Sequence, residues 1–440
     1  MKEKIKKSFF NIIGKLAKIH LKKKDVFVIG VTGSIGKTTS RMIISKILSD
    51  NDINIYTSPK NYNGSFGLSL SIFEISDYVP TKIGFLKILL RVLRSFIFSK
   101  PSYDVLFLEY GIDEVGEMDF LLDVVKPDIS IFTGIDKVHC LNFSSPDVTA
   151  EEKIKLVKNT KNVSFLNYDD SYTKNSLNVG CDIIYFTTTG KDNAQIGFEK
   201  FDYVYEDGKI NSKFKGKINN LDINISTNIL GKENAGYITL GYAILDIVYR
   251  NFGYNNSVVE GMGDLSLSVY SQPGRFSIFE GINGSVLIDS TYNASPESTK
   301  KVINNTANIK DKFYSNHSVI FVFGDMRELG DFSEQEHRLM ASYILGFADY
   351  VFLLGENTKS FTYDELSKIG FDMQNVFLFA NSYDLGDYLN NFLKKNSEEF
   401  LVLFKGSQTG IFLEEALKKI LKNQEDGQKL PRQEFFWKKV

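Results

Sequence analysis

The segment Gly30-Val31-Thr32-Gly33-Ser34-Ile35-Gly36-Lys37-Thr38-Thr39 follows directly on an apolar run, Val26-Phe27-Val28-Ile29. The run predicts a buried strand, and Arg41, Met42, Ile43, Ile44 and Ile47 predict a helix that opens straight after the loop. Gly33 and Gly36 let the backbone turn tightly, so that the N–H groups from Ser34 to Thr39 can aim at phosphate oxygens. The helix N-terminus behind them favours anions. Lys37 then reaches the β- and γ-phosphates of ATP, and the Thr38 hydroxyl holds Mg²⁺. The common P-loop carries glycine five positions before Gly36; here that residue is Val31.

The chain has 440 residues, enough for two or three domains, and 43% of them are hydrophobic. A net charge of -2 gives no global pull toward nucleic acid. The two cysteines, Cys140 and Cys181, have no metal-ligand spacing and suit a reducing cytosol. Lysines recur through the start without a cleavable signal pattern, and no uncharged apolar run reaches about 18 residues. The reading is a cytoplasmic protein.

Charge is uneven all the same. Residues 1–24 hold nine lysines and one glutamate, with Ile5, Phe9, Ile12, Leu16 and Ile19 on one helical face. A second stretch, 84–100, sets Lys87, Arg91 and Arg94 among Phe85, Leu86, Leu90 and Leu93. Each reads either as a helix packed on the protein with its cations in water or as an interfacial helix on an anionic membrane. The tail Phe435-Phe436-Trp437-Lys438-Lys439 could join such a face.

Alternating strand and helix signals predict an α/β fold with a mostly parallel sheet. Val105–Leu108, Ile129–Thr133 and Val163–Asn167 read as strands, with Glu109, His139 and Asn167 just beyond or at their ends. Ligands of open α/β sheets bind outside the carboxyl ends of strands. Residues 185–230 alternate as an antiparallel β segment, and Asn234–Arg250 is helical in pattern. A break at Gln272-Pro273-Gly274-Arg275 predicts a domain boundary, followed by a second, Rossmann-like α/β unit with strands near 286–289, 319–323, 350–354 and 401–404. The expected organisation is a basic helix (1–24), an ATP-binding domain (25–271) and a C-terminal α/β domain (272–440).

Ordered blocks carry a resemblance. The P-loop variant is followed by Asn61-Tyr62-Asn63-Gly64-Ser65-Phe66-Gly67, Glu109-Tyr110-Gly111, Thr133 to His139, and Gly231-Lys232-Glu233-Asn234. Then come Pro273-Gly274-Arg275, Asp289 to Pro296, Asp325 to Gly330, and Lys405-Gly406-Ser407. In this order they resemble the Mur ligase family, the ATP-dependent amide-bond-forming enzymes of cell-wall precursor synthesis, most of all the type that adds D-alanyl-D-alanine to a muramoyl tripeptide. The resemblance implies that a carboxylate attacks the γ-phosphate of ATP to give an acyl-phosphate, which an amine then attacks. It implies that Gly33, Ser34, Gly36, Lys37, Thr38 and Thr39 hold phosphates, and that Thr38 and Glu109 serve one Mg²⁺. His139 and a carbamylated Lys153 would serve the second; the alternatives are a strand-end histidine and a surface lysine. Asn234 would face the adenine, although Tyr237 stands where the family often has a second asparagine. Arg275 would reach the phosphates, unless it forms a linker salt bridge, and Asp289 would lie near the ribose. Asn293, Pro296, Asp325 and Glu328 would shape the amine-substrate pocket near His337, with Glu328 equally suited to capping a helix. Gln408 replaces a usual arginine.

About 25 residues precede the P-loop strand, too few for the uridine-nucleotide-binding domain of the well-known cell-wall ligases. The acceptor could thus be a muramoyl-peptide nucleotide held differently, or a lipid-linked or free peptide. A monomer is expected. The alternatives are a folylpolyglutamate-type ligase, with the same core, and a non-catalytic nucleotide-binding scaffold.

Overall fold

The computed structural model describes residues 2–58, 62, 64–77, 81–136, 143, 145–173, 179–191, 193–254, 257–270, 272–408 and 410–433. Its first sheet starts from the apolar run before the loop. β1 (Phe27–Thr32) is buried throughout, and it lies between β3 (Val105–Glu109) and β4 (Ile129–Phe132), parallel to both. β2 (Ile55–Thr57) extends the sheet beyond β3, and β5 (Val163–Asn167) and β6 (Asp182–Phe186) extend it beyond β4, all in parallel. Strands covered on both faces read as near-continuous apolar runs, which is why Val-Leu-Phe-Leu and Ile-Ser-Ile-Phe stood out in the sequence. The alternating segment then becomes an antiparallel ladder of β7 (Ile196–Glu206), β8 (Lys209–Ile218) and β9 (Leu221–Thr227), with the short β10 (Leu265–Leu267) at the edge.

Helices cover both faces of this sheet. α1 (Lys2–Leu21), α3 (Ser65–Ile72), α4 (Lys82–Phe98) and α5 (Glu117–Val124) pack against one face, where Ile13, Leu68, Ile88 and Leu121 share a core with Leu106 and Leu108. α2 (Lys37–Asp50) and the 20-residue α7 (Lys232–Asn251) cover the other. Ile43, Ile44, Ile47 and Leu48 of α2 are all fully buried, each contributing roughly 1.5–3 kcal/mol by removal from water. α6 (Pro146–Lys158) starts on a Ser145 N-cap followed by Pro146, and presents Glu152 and Lys153 inward.

The leading helix packs on the protein, but with a rotated face. Ile13, Ala17 and His20 are buried, and Phe9, Phe10 and Leu16 join that core, whereas Ile12 and Ile19 stand about half exposed. The buried line through Ile13, Ala17 and His20 thus runs about one step of the helix from the apolar line through Ile12 and Ile19. Both spacings satisfy a 3.6-residue period, and only the neighbour, here Phe66 against Phe9 and Phe10, selects one.

The second sheet follows the Gln272–Arg275 break. Its order is β11 (Ser277–Glu280), β12 (Val286–Ser290), β16 (Phe400–Lys405), β13 (Ser318–Gly324), β14 (Tyr350–Leu354) and β15 (Val376–Phe379). β11 is antiparallel to β12, and the remaining pairs are parallel. α8 (Pro296–Phe313) rises from β12 on a Ser295–Ser298 capping box, with Pro296 in its first turn. The two sheets touch through Asn305 of α8, which accepts from the Tyr203 hydroxyl (3.1 Å) and donates to Glu233 (3.0 Å). Tyr203 and Ile210 pack into the core of the second unit.

Candidate active site

The P-loop turns where the sequence places its glycines. Gly33 has φ +144° and Gly36 φ +81°. A Cβ at Gly33 would sit 2.0 Å from the Thr133 hydroxyl, and one at Gly36 2.1 Å from the Tyr237 hydroxyl. Only glycine fits either place. Gly36 caps α2 without any side-chain acceptor, so the first-turn N–H groups stay open to an anion. Ser34 donates its N–H to the Gly134 carbonyl (2.8 Å), and the Thr133 hydroxyl to the Thr32 carbonyl (3.1 Å), which fastens the loop to the end of β4.

Lys37 folds back over this loop, its Nζ donating to the Gly33 (2.7 Å) and Ser34 (3.3 Å) carbonyls. Burial pushes its pKa down, with Arg275 adding to that push and Glu109 opposing it. Thr38 donates its hydroxyl to Oε2 of Glu109 (3.2 Å), and Arg41 Nε holds Oε1 of the same carboxylate at 2.6 Å. Arg41 and Glu109 are both about 3% exposed, a fully buried ion pair one turn behind Lys37. The sequence reading took Arg41 only as part of the opening helix. A basic residue four positions after the loop lysine, with an acid ending the neighbouring strand, was the available signal.

Among the described residues no group of three or more His, Cys, Asp or Glu side chains is placed to hold a metal alone. The Thr38 hydroxyl and the Glu109 carboxylate still fit Mg²⁺, which keeps several waters and takes its other oxygens from substrate phosphates. His139, Cys140, Asn61, Asn63 and the 435–439 tail lie outside the described residues.

Lys153 is buried to 1% exposure on α6. Its pKa is held well below the ordinary lysine value, first by burial and next by the positive charge of Lys37, against the pull of Asp113, Glu117 and Glu152. This is not the lysine of a solvated helix face. An uncharged amine is the form able to react with CO₂.

The second unit closes over the loop. A cleft of ≈ 300 Å³ is lined by Ser34–Thr39, by Asn234 and Tyr237 of α7, and by Arg275, Tyr292, Asn293 and Lys405. The Arg275 guanidinium stacks 4.4 Å over the Tyr292 ring, and its Nε donates to Gln272 (3.1 Å). Lys405 ends β16 and donates to the Asn293 carbonyl. Burial, and then Arg275, bring its pKa to about 7. Three cations thus converge on one cleft beside an open helix N-terminus, an anion site at the carboxyl ends of both sheets. A larger hollow of ≈ 550 Å³ lies near the opposite end of β1, but its Lys18 and Lys161 are already paired with Asp123 and Asp128.

The other expected site residues make the following contacts. Asn234 is buried at the cleft, its side chain donating to the Leu230 carbonyl (2.7 Å). Asp289 does not line the cleft: its oxygens accept from the Gly274 N–H (3.0 Å) and from the Thr291 N–H (3.0 Å) and hydroxyl (2.7 Å), so it holds the turn that carries Arg275. Pro296 opens α8 beneath Asn293. The Asp325 carboxylate accepts from the N–H groups of Asn357 (3.2 Å) and Thr358 (2.8 Å), and its carbonyl accepts from the Ser407 N–H (3.2 Å). Glu328, at φ +66°, occupies the adjoining loop. His337 steadies that loop, accepting from the Met326 N–H at Nε2 (3.0 Å) and thus donating from Nδ1 to the Ser333 carbonyl (2.7 Å).

Burial raises the Asp289 pKa to about 6 against those hydrogen bonds. The folded state therefore binds more protons than the unfolded chain between the ordinary carboxylate value, 3.8, and about 6, so this group's contribution to stability falls as pH rises through that window. Asp289→Asn should remove that slope, seen as a flatter denaturant midpoint between pH 4 and 6. It should also cost about 1–3 kcal/mol, because an amide facing the Gly274 N–H leaves it unpaired.

The Mur ligase middle domain matches residues 31–243, and the Mur ligase glutamate ligase domain matches residues 274–408. This chain belongs to the Mur ligase family. A curated relative, the UDP-N-acetylmuramoyl-tripeptide--D-alanyl-D-alanine ligase of Bacillus subtilis (strain 168), is 26% identical over 411 residues, covering 93% of this chain and 79% of its own length. Two solved structures share the fold. The MurF ligase of Thermotoga maritima in complex with ADP has a TM-score of 0.70 at 21% identity, over 95% of this chain and 84% of its own. MurF of Acinetobacter baumannii has a TM-score of 0.71 at 18% identity, over 92% and 79%. The cleft is lined by residues of both matched domains, and Arg275, at the start of the second, brings a cation to it.

Proposed function

We propose that this Mur ligase is an ATP-dependent D-alanyl-D-alanine-adding enzyme of peptidoglycan precursor synthesis, and that it joins the dipeptide to a muramoyl tripeptide. One observation carries the reading: Lys37, Arg275 and Lys405 converge on a P-loop cleft closed by the second unit. The curated relative named for that reaction, aligned along nearly the whole chain, supports it over the folylpolyglutamate and scaffold alternatives. The protein is organised as 1–24, 25–271 and 272–440 and acts as a cytoplasmic monomer.

The first step brings a carboxylate against the γ-phosphate of ATP, so it needs cations and fixed positions more than covalent help. Lys37 and the loop amides hold the β- and γ-phosphates. Arg275, kept in place by Tyr292 and Gln272, neutralises charge from the opposite wall. Thr38 and Glu109 would hold Mg²⁺, which when bound would supply further charge neutralisation; by the family resemblance, His139, outside the described residues, and a carbamylated Lys153 would hold a second ion. The resulting acyl-phosphate then meets the dipeptide amine near Asn293, and closure of the cleft keeps water from it. Lys405 lies where it can follow the departing phosphate. Asn234 and Tyr237 offer an amide and an aromatic ring to the base.

Acceptor-dependent phosphate release from ATP and Mg²⁺ tests this. Release with a uridine-linked muramoyl tripeptide and D-alanyl-D-alanine is expected. Release only with a folate and glutamate, or none with any acceptor while ATP still binds, would sink the reading.

A second outcome follows from Lys405. At pH 8 an amine with a pKa of about 7 is mostly neutral, and an arriving polyphosphate raises that pKa. ATP binding at pH 8 should therefore take up protons. Calorimetry in buffers of different ionisation enthalpy measures this, and Lys405→Met should reduce the uptake.

A further inference from the structure

We propose that the outer face formed by α4 and α1 is a docking surface for an anionic lipid bilayer. The proposal stands apart from the ligase reading and needs no feature of the cleft. α4 is amphipathic, yet only one side of it is used by the fold. Ile88 and Val92 are buried, while Leu86, Leu90, Leu93 and Ile97 are 37–62% exposed. These four recur at steps of four, three and four, so they form one stripe along the helix. Phe98, at 82% exposed, ends the helix.

α1 widens the stripe into a plane. The two helices lie side by side in parallel: Phe9 meets Phe85 edge-on at 5.6 Å near one end, and at the other Lys23 reaches the Ser99 carbonyl (3.0 Å). Ile12 and Ile19 of α1 are about half exposed. A face of seven large apolar side chains across two helices is larger than the isolated exposed leucine that any surface carries.

Charge identifies the occupant. From 82 to 100 the chain has five cations and no carboxylate. Arg91, on the same flank of the helix as Lys87 and Arg94, pairs with Asp77. Lys87 and Arg94 border the stripe itself, and Lys15 and Lys22 border the exposed side of α1; among the described residues none of these four meets a carboxylate within ion-pair distance. An apolar strip with uncompensated cations along its edges is complementary to acyl chains beneath anionic headgroups. A second copy of this chain would set the same cations against one another across a two-fold axis. No described helix is long and apolar enough to cross a bilayer, so the contact is one of lying on the surface.

The test is co-sedimentation of the full chain with vesicles of phosphatidylglycerol and phosphatidylcholine against phosphatidylcholine alone, at about 0.1 M salt. Binding to the anionic vesicles should exceed binding to the neutral ones by about ten-fold or more. Leu90→Glu with Ile97→Glu should abolish it, and Lys87→Glu with Arg94→Glu should lower it by about ten-fold. All four positions are exposed, so ATP binding and the thermal midpoint should stay unchanged, which separates lost docking from lost folding. Absence of anionic-vesicle binding, equal binding to both vesicles, or wild-type binding by the Leu90/Ile97 variant would each overturn the proposal. So would a concentration-dependent dimer that the same variant dissolves.

Discussion

Lys37→Ala is expected to lower acceptor-dependent phosphate release by about 10²–10³-fold or more, with the fold intact. The loop amides and Arg275 remain in this variant, but the cation that turns back across the loop to the Gly33 and Ser34 carbonyls is gone. A buried lysine whose pKa is already depressed contributes little to folding, because its charge is costly to hold in that place. The thermal midpoint should thus stay the same or rise slightly. Removing Lys37 also withdraws a positive charge that depresses Lys153, so the Lys153 amine should titrate higher in the variant. Steady-state phosphate release and a melting curve on the same preparation decide the matter. Unchanged turnover would remove Lys37 from the chemistry; a collapse of the fold would show that the loop needs it structurally.

Arg41→Met should destabilise the protein by about 3–5 kcal/mol, the largest loss among the single changes considered. The Arg41 guanidinium binds Oε1 of Glu109 and also reaches the Thr57 hydroxyl (2.6 Å), linking α2, β3 and the end of β2. Taking one partner away leaves a buried carboxylate whose remaining hydrogen bond among the described residues comes from the Thr38 hydroxyl. Glu109→Gln should cost less, since a neutral amide can still accept from Arg41, but it should raise the Mg²⁺ concentration needed for activity. Denaturant midpoints with a magnesium titration of activity separate the two. If Arg41→Met melts like the parent, the pair contributes specificity and not stability.

Much of this protein was open to reading along the chain. A fully buried parallel strand is a continuous apolar run, so β3, β4 and β5 showed within a residue of their ends, while β1 runs three residues beyond its expected end at Ile29. The loop glycines showed because backbone conformation itself demands them, at φ +144° and +81°. The ordered motif blocks carried the family. Three-dimensional contacts were not legible in the same way. Arg41 and Glu109 lie 68 positions apart, and no local pattern pairs them. Asp289, placed by its motif near the ribose, spends both oxygens on Gly274 and Thr291. The Asp325 carboxylate likewise meets the N–H groups of Asn357 and Thr358, more than 30 positions on.

By itself, the sequence determined the strand–loop–helix nucleotide motif, the two successive α/β units and the break between them, because these depend on periodicity and on local backbone chemistry. Tertiary structure alone decided which face of α1 is buried, that Lys153 sits in the interior, and that Arg275 and Lys405 from the second unit meet Lys37 across one cleft. Burial and electrostatic proximity are properties of packing between distant segments. A helical period admits several faces, and a lysine's charge state depends on what surrounds it, so neither can be read until the neighbours are in place.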